Sequence, residues 1–237
     1  MAHSEKIVDL ANRYFTQQAE LYGDEFYVGV DVEAQWKNTD SNSLAELGKE
    51  ISDCRMCALS GARSMVVFGV GDPQANLMCI GEAPGHDEDK QGQPFVGAAG
   101  QLLNKILAAI GFERAEVYIA NIVKCRPPGN RDPQPEEITE CLPYLRKQID
   151  FIRPKVILAL GRVAAQTLLA TDLPLSRLRE DFHRLDGGDI EVVVTYHPAA
   201  LLRNEQLKRQ TWEDVKKLRA RYDEIVGDKP TMNLKKS

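Results

Sequence analysis

The sequence predicts an α/β fold in which a parallel sheet carries helices on both faces. From Asn76 onward, short apolar runs bounded by turn residues alternate with segments of helical period. The runs are apolar nearly throughout, as suits strands covered on both faces rather than one. The order strand, helix, strand repeats, and joining strands through helices leads to parallel pairing.

The strand-like runs are Leu77–Ile80, Val117–Val123, Val156–Leu160 and Val192–Thr195. Between them the helical period appears over Gly100–Ile110, Pro135–Phe151 and Val163–Ala170. Pro135 stands just inside the start of the middle helix, followed by Glu136 and Glu137. A proline there has its φ preset for the helix, and the carboxylates meet the positive end of its dipole. A last amphipathic helix is expected from about Glu205 to Ile225, and the tail after Gly227 is polar. At the other end, Ile7, Leu10, Tyr14 and Leu21 fit one face of a helix, and a polar stretch from Asn38 to Ser43 follows. No internal repeat or low-complexity tract is present. The chain thus divides into an acidic N-terminal extension (1–43), a main domain (44–228) and a polar tail (229–237).

With 237 residues, 43% hydrophobic, the chain can bury one sizeable core. No apolar run approaches the roughly 20 residues that cross a bilayer, so no membrane association is expected. The start of the chain lacks a basic stretch followed by an apolar one, so an intracellular, cytoplasmic protein is expected. In such a reducing compartment five cysteines suggest metal ligation or core packing, not a disulfide framework. The formal charge of -5 does not exclude a nucleic-acid partner. Residues 1–40 hold three basic residues (Lys6, Arg13, Lys37) against eight acidic ones, which leaves 27 of each sign elsewhere. A neutral body can still present a basic face to phosphates.

Three segments concentrate the chemistry, and each follows a predicted strand. The first is Gly81–Gly100, GEAPGHDEDKQGQPFVGAAG; the second is Asn121–Arg131, NIVKCRPPGNR; the third is His197–Arg203, HPAALLR. Ligands of open α/β sheets bind at the carboxyl ends of the strands, which is where all three emerge. Taken singly each has a bland explanation: a connector, a strand-end cap, a structural histidine. Their convergence on one sheet edge is what points to a site.

GEAPG, PFVG, NIVKCRPP and HPAALLR, in this order and spacing, resemble the family 4 uracil-DNA glycosylases, with a likeness from about Leu47 to Arg203. The resemblance implies a three-layer α/β/α sandwich around a four-stranded parallel sheet. It also implies a monofunctional DNA glycosylase that flips uracil out of DNA and hydrolyses its N-glycosidic bond, with uracil-containing DNA as partner. On that likeness Gly81 and Ala83 line the base pocket and Phe95 stacks on uracil. Asn121 is the amide that reads the pyrimidine edge, since an amide offers both a donor and an acceptor. Glu88 walls off C5, where thymine carries a methyl group. His197 stabilises negative charge on the departing base, and Glu82 helps to hold the attacking water. Other uracil-DNA glycosylases place an aspartate where this chain has Ala83, so the general base stays open. Leu201 and Leu202 suit a wedge that fills the gap left by the flipped nucleotide, or the start of the terminal helix packed inward. Arg203 suits a phosphate.

Cys54 and Cys57 form a C-x2-C pair, with Cys125 and Cys141 far downstream. Spacing alone allows four thiolates on one zinc, or chance. The resemblance implies a [4Fe–4S] cluster on these four, tying the segment before the first strand to the loop near Arg126. Cys79, mid-strand between Met78 and Ile80, reads as a small buried hydrophobe.

Rival readings are a related glycosylase with another base preference, one that traps its product covalently, and a non-catalytic nucleic-acid module with structural zinc. The trapping enzymes carry an extra basic loop where this chain has a short PPGNRDPQ. A binding module would keep Lys124, Arg126 and Arg203 as phosphate contacts but has no use for Asn121 and His197 together. Residues 1–43 are the place for an interaction role, docking a protein partner or packing on the body.

Overall fold

The computed structural model describes residues 43–227. The expectations placed on residues 1–42 and on the tail lie outside this range. Six strands form one sheet: β1 (Val70–Gly71), β2 (Leu77–Gly81), β3 (Tyr118–Asn121), β4 (Val156–Leu160), β5 (His183–Arg184) and β6 (Glu191–Thr195). Their spatial order is β1-β3-β2-β4-β6-β5. The inner four strands pair in parallel, as expected, and the two-residue strands β1 and β5 add antiparallel edges. The expected four strands are therefore the core of a six-stranded sheet. Strands of two residues have no periodicity to read, which is why the sequence did not announce them.

Side-chain alternation explains the layers. Leu77, Cys79, Ile119, Val156, Leu158, Leu160 and Val193 point to one face of the sheet, against Leu103, Leu107, Val215 and Leu218. Met78, Ile80, Tyr118, Ala120, Ile157, Ala159, Val192 and Val194 point to the other, against Leu145, Ile149, Ala164 and Leu168. Helices α3 (Ala98–Ala109) and α8 (Leu207–Val226) thus cover the first face, and α4 (Pro135–Ile152) and α5 (Arg162–Leu169) the second. Every residue of the four inner strands is buried. Cys79 is fully buried among them, as its apolar neighbours suggested.

Shorter helices complete the chain: α1 (Leu44–Ile51), α2 (His86–Gln91), α6 (Leu175–Leu178) and α7 (Pro198–Arg203). Helix α1 begins on Ser43, whose hydroxyl accepts from the Glu46 N–H at 3.2 Å. Helix α4 starts with Pro135, and the Glu137 carboxylate turns back to accept from the Gln134 N–H at 2.8 Å. Helix α2 lies inside the glycine-rich first segment, and α7 is a separate turn broken from α8 at Asn204 rather than its beginning. Among the described residues no helix is long and apolar enough to cross a membrane.

Candidate active site and cysteine cavity

The strand order changes direction between β2 and β4, and at the carboxyl ends of the strands lies a cavity of about 330 Å³. The segments after β2, β3 and β6 all contribute to it. Its wall includes Glu82, Ala83, Glu88, Phe95, Asn121, His197 and Arg203, seven residues that the sequence singled out. Its volume lies in the range of small-molecule sites.

Gly81 ends β2, opposite Asn121 at the end of β3. A Cβ on Gly81 would stand 2.5 Å from Asn121 Oδ1 and 2.6 Å from Phe95 Cζ. Only glycine lets the amide and the ring close over the strand end, so Gly81 shapes the site without offering a side chain. Asn121 is 1% exposed, and its Oδ1 has no hydrogen-bond partner among the described residues. A buried acceptor left unpaired is costly and uncommon. Here it sits in the cavity wall, where a ligand donor would satisfy it.

Phe95 is a buried ring with a left-handed backbone, φ 53°, which a bulky residue rarely adopts. Its ring centroid lies 5.5 Å from that of His197, with the planes tilted by 33°. His197 caps α7: its Nδ1 accepts from the Ala199 N–H at 3.2 Å. An accepting Nδ1 leaves the proton of the neutral ring on Nε2, free to be donated. Burial, helped by the positive charge of Arg203, lowers the His197 pKa to about 4. The ring is therefore neutral at physiological pH.

Three carboxylates line the cavity, and they differ in kind. Glu88 is fully occupied: Oε1 accepts from the Val96 N–H and the Gly97 N–H at 2.9 Å each, and Oε2 from the Gly85 N–H at 3.1 Å. It pins the PFVG turn to the GEAPG turn, a tertiary role that spacing cannot reveal. Glu82 is half-buried, and desolvation, reinforced by the charge of Asp132, raises its pKa to about 7 despite Arg162 and Arg203. Asp132 is the third; it is ion-paired with Arg162 at 2.5 Å. The sequence reading stopped one residue short of it, although the run NRDP in the same loop was a usable signal. Arg131, also in the wall, is held by two bonds to Glu137 at 2.7 and 2.8 Å.

Two expectations change here. Leu201 is 2% exposed and packs inward, whereas Leu202 is 51% exposed. A helical turn sends neighbours in different directions, so only Leu202 stands where DNA can reach. Lys124 is completely buried, donating from Nζ to the Asn121 carbonyl at 2.8 Å and to Gln148 Oε1 at 2.5 Å. It is no phosphate contact. Arg203 and Arg126 remain at the surface, with Arg126 bonded to Asn130 Oδ1 at 2.7 Å and to His86 Nδ1 at 3.0 Å.

Cys54, Cys57, Cys125 and Cys141 line one small second cavity, brought together from the segment after α1, the loop after β3, and α4. Among the described residues no three His, Cys, Asp or Glu side chains group tightly enough to hold a single ion. Four thiols lining one cavity are a donor set of the kind that holds a zinc ion or an iron–sulfur cluster. Donors already face two of the sulfurs: Arg63 Nη1 to Cys125 Sγ, and the Lys124 backbone N–H to Cys141 Sγ, both at 3.3 Å. Burial raises the thiols of Cys57 and Cys125, and that of Cys141 to about 12, and a cationic partner favours their thiolates.

Comparison with known proteins agrees with this geometry. Residues 68–216 match the model of the uracil DNA glycosylase superfamily. A type-4 uracil-DNA glycosylase of Archaeoglobus fulgidus is 45% identical over 80% of this chain and 97% of its own. One from Sulfurisphaera tokodaii is 44% identical over 75% of this chain and 84% of its own. One from Thermotoga maritima is 40% identical over 73% and 92%. With the strand-end cavity, its amide, its ring and its neutral imidazole, this chain belongs to the uracil DNA glycosylase superfamily and, within it, to the type-4 uracil-DNA glycosylases.

Proposed function

We propose that this chain removes uracil from DNA by hydrolysing the bond between base and sugar, leaving an abasic site for base excision repair. The observation that carries the reading is the unpaired, buried Oδ1 of Asn121 in the cavity wall, beside the Phe95 ring. A flipped uracil offers N3–H to that oxygen and O4 to the amide N–H, while Phe95 covers the ring. His197 Nε2–H donates to O2. As the bond breaks, negative charge spreads over the base, and a neutral donor already aimed at O2 stabilises it without reorganising. The wall at C5 is Glu88, rigid because its backbone bonds hold both oxygens, so a thymine methyl meets a fixed obstacle.

Glu82 is the carboxylate with a free role. Its pKa of about 7 suits a group that takes a proton from water and faces the growing positive charge of the sugar. Leu202 fills the stack where the base was, and Arg203 holds a backbone phosphate. The four cysteines hold a [4Fe–4S] cluster, which when bound supplies the cation charge that their thiolates need and crosslinks the chain from α1 to α4. The acidic N-terminal segment, residues 1–43, offers a place for a protein partner. DNA as substrate and thiolates as ligands both suit an intracellular, cytoplasmic enzyme.

The test is an oligonucleotide with one dU, against a control with T, each treated with protein and then alkali. Cleavage at dU alone is expected. Cleavage at neither, from protein whose visible absorption shows the cluster, would overturn the assignment.

A further inference from the structure

We propose that Arg114 is a positioning residue for the base pocket: held by Asn104 Oδ1, its guanidinium clamps the Pro94–Phe95 backbone and so holds the Phe95 ring where the base stacks. This rests on the reading of Phe95 as the stacking surface.

Arg114 lies on the 3-10 turn immediately before β3, outside every segment that the sequence marked. Its Nη2 donates to the Pro94 carbonyl at 2.6 Å, and its Nη1 to the Phe95 carbonyl at 3.2 Å and to Asn104 Oδ1 at 3.1 Å. All three acceptors are neutral oxygens. A half-buried guanidinium normally takes a carboxylate, because desolvating the charge is costly. Spending its donors on two successive carbonyls makes sense if their orientation is what is being fixed.

Those carbonyls belong to the strained part of the site. Phe95 stands at φ 53°, and strain of this sort persists only where the surroundings impose it. Space for the bent backbone comes from Gly100: a Cβ there would lie 1.9 Å from the Phe95 carbonyl oxygen. Gly100 admits the bend and Arg114 holds it. Without the guanidinium, Phe95 is free to relax toward negative φ, which swings its ring away from His197 and from the mouth of Gly81. The planar fork of arginine reaches two carbonyls and an amide at once; a lysine ammonium cannot reproduce that geometry.

The experiment is a double-mutant cycle on the full chain with its cluster: Phe95→Ala, Arg114→Ala and the pair, assayed for uracil release below the melting temperature of each. Arg114→Lys serves as the second variant if Arg114→Ala does not fold. Stacking on an aromatic carries about a tenfold effect or more, so Phe95→Ala should lower kcat/KM by at least that. Arg114→Ala or Arg114→Lys should lose about tenfold alone, yet less than twofold when Phe95 is already alanine. Losses that multiply in the pair would show that Arg114 acts elsewhere and overturn the proposal, as would wild-type kcat/KM in the single Arg114 variant. Near wild-type kcat/KM in Phe95→Ala would overturn the stacking reading and this proposal with it. A purely structural arginine would lower the melting temperature but leave the losses independent.

Discussion

Replacing Asn121 by leucine separates stability from function in a way that few substitutions do. The wild-type amide oxygen is buried with no partner among the described residues, a condition that costs up to about 1–3 kcal/mol where water does not pair it. Leucine has similar size and no polar atom, and its side chain borders an open cavity that can take up the difference in shape. The Lys124 bond goes to the Asn121 carbonyl and survives the exchange. The free protein should therefore gain roughly 1–2 kcal/mol, or about 2–4 °C of melting temperature for each kcal/mol in a domain of this size. Activity should move the other way. Two hydrogen bonds to the base vanish, and the uracil N3–H and O4 are left facing hydrocarbon, which together costs about 3–4 kcal/mol. That corresponds to a fall in kcat/KM of roughly 10²–10³-fold. The assays are calorimetric melting without DNA and uracil release under single-turnover conditions. A melting temperature several degrees below wild type would refute the idea that the oxygen is unpaired. A kcat/KM within threefold of wild type would refute its role in reading the base.

Other predictions follow from the same geometry. Glu82 has its carboxyl raised to about 7 by burial and by Asp132, so uracil release should rise with pH through that value, and Glu82→Gln should be slow and lack the limb. Stability has the opposite sign: the folded state holds the Glu82 proton more tightly than the unfolded chain, so this contribution is present at low pH and is lost between about 4.5 and 7. Melting profiles of wild type and Glu82→Gln should diverge progressively from about pH 4.5 to 7 and stay apart above it, with the variant more stable. Leu201→Ala should destabilise by about 2–5 kcal/mol because it empties a core position, while Leu202→Ala should leave melting unchanged and lower activity on duplex DNA more than on single strands. Equal effects in the two variants would remove Leu202 from the DNA interface. Cys125→Ala or Cys141→Ala should abolish the brown absorption and lower the melting temperature; a coloured, stable variant would mean that the cysteine is not a ligand.

The sheet was legible because its inner strands are buried on both faces and read as unbroken apolar runs. Helix α2 was not, since HDEDKQ has no apolar period: it is held by the Glu88 bonds to Val96 and Gly97, contacts that local sequence does not encode. The break between α7 and α8 at Asn204 likewise carries no proline or glycine to mark it. In the site, the residue types at the strand ends were readable because an amide, a ring and an imidazole have distinct chemistry there. Their relations were not. Lys124 looks like a surface cation in the run KCR, and only the fold turns it inward to the Asn121 carbonyl. Leu201 and Leu202 are alike in sequence and opposite in exposure. Asp132 and Arg114 escaped because each matters through a partner distant in the chain, Glu82 for the first and Phe95 for the second.

The central claim is that the cavity at the strand ends breaks the uracil–sugar bond and no other. Chromatography of the products from duplex DNA with a single dU, under single-turnover conditions and before any alkali, tests it directly. The account predicts one free uracil per duplex, an intact phosphodiester backbone, and a loss of at least a hundredfold in rate with His197→Ala. No free base from the wild-type enzyme with its cluster, or release at equal rates from the His197→Ala variant, would contradict it.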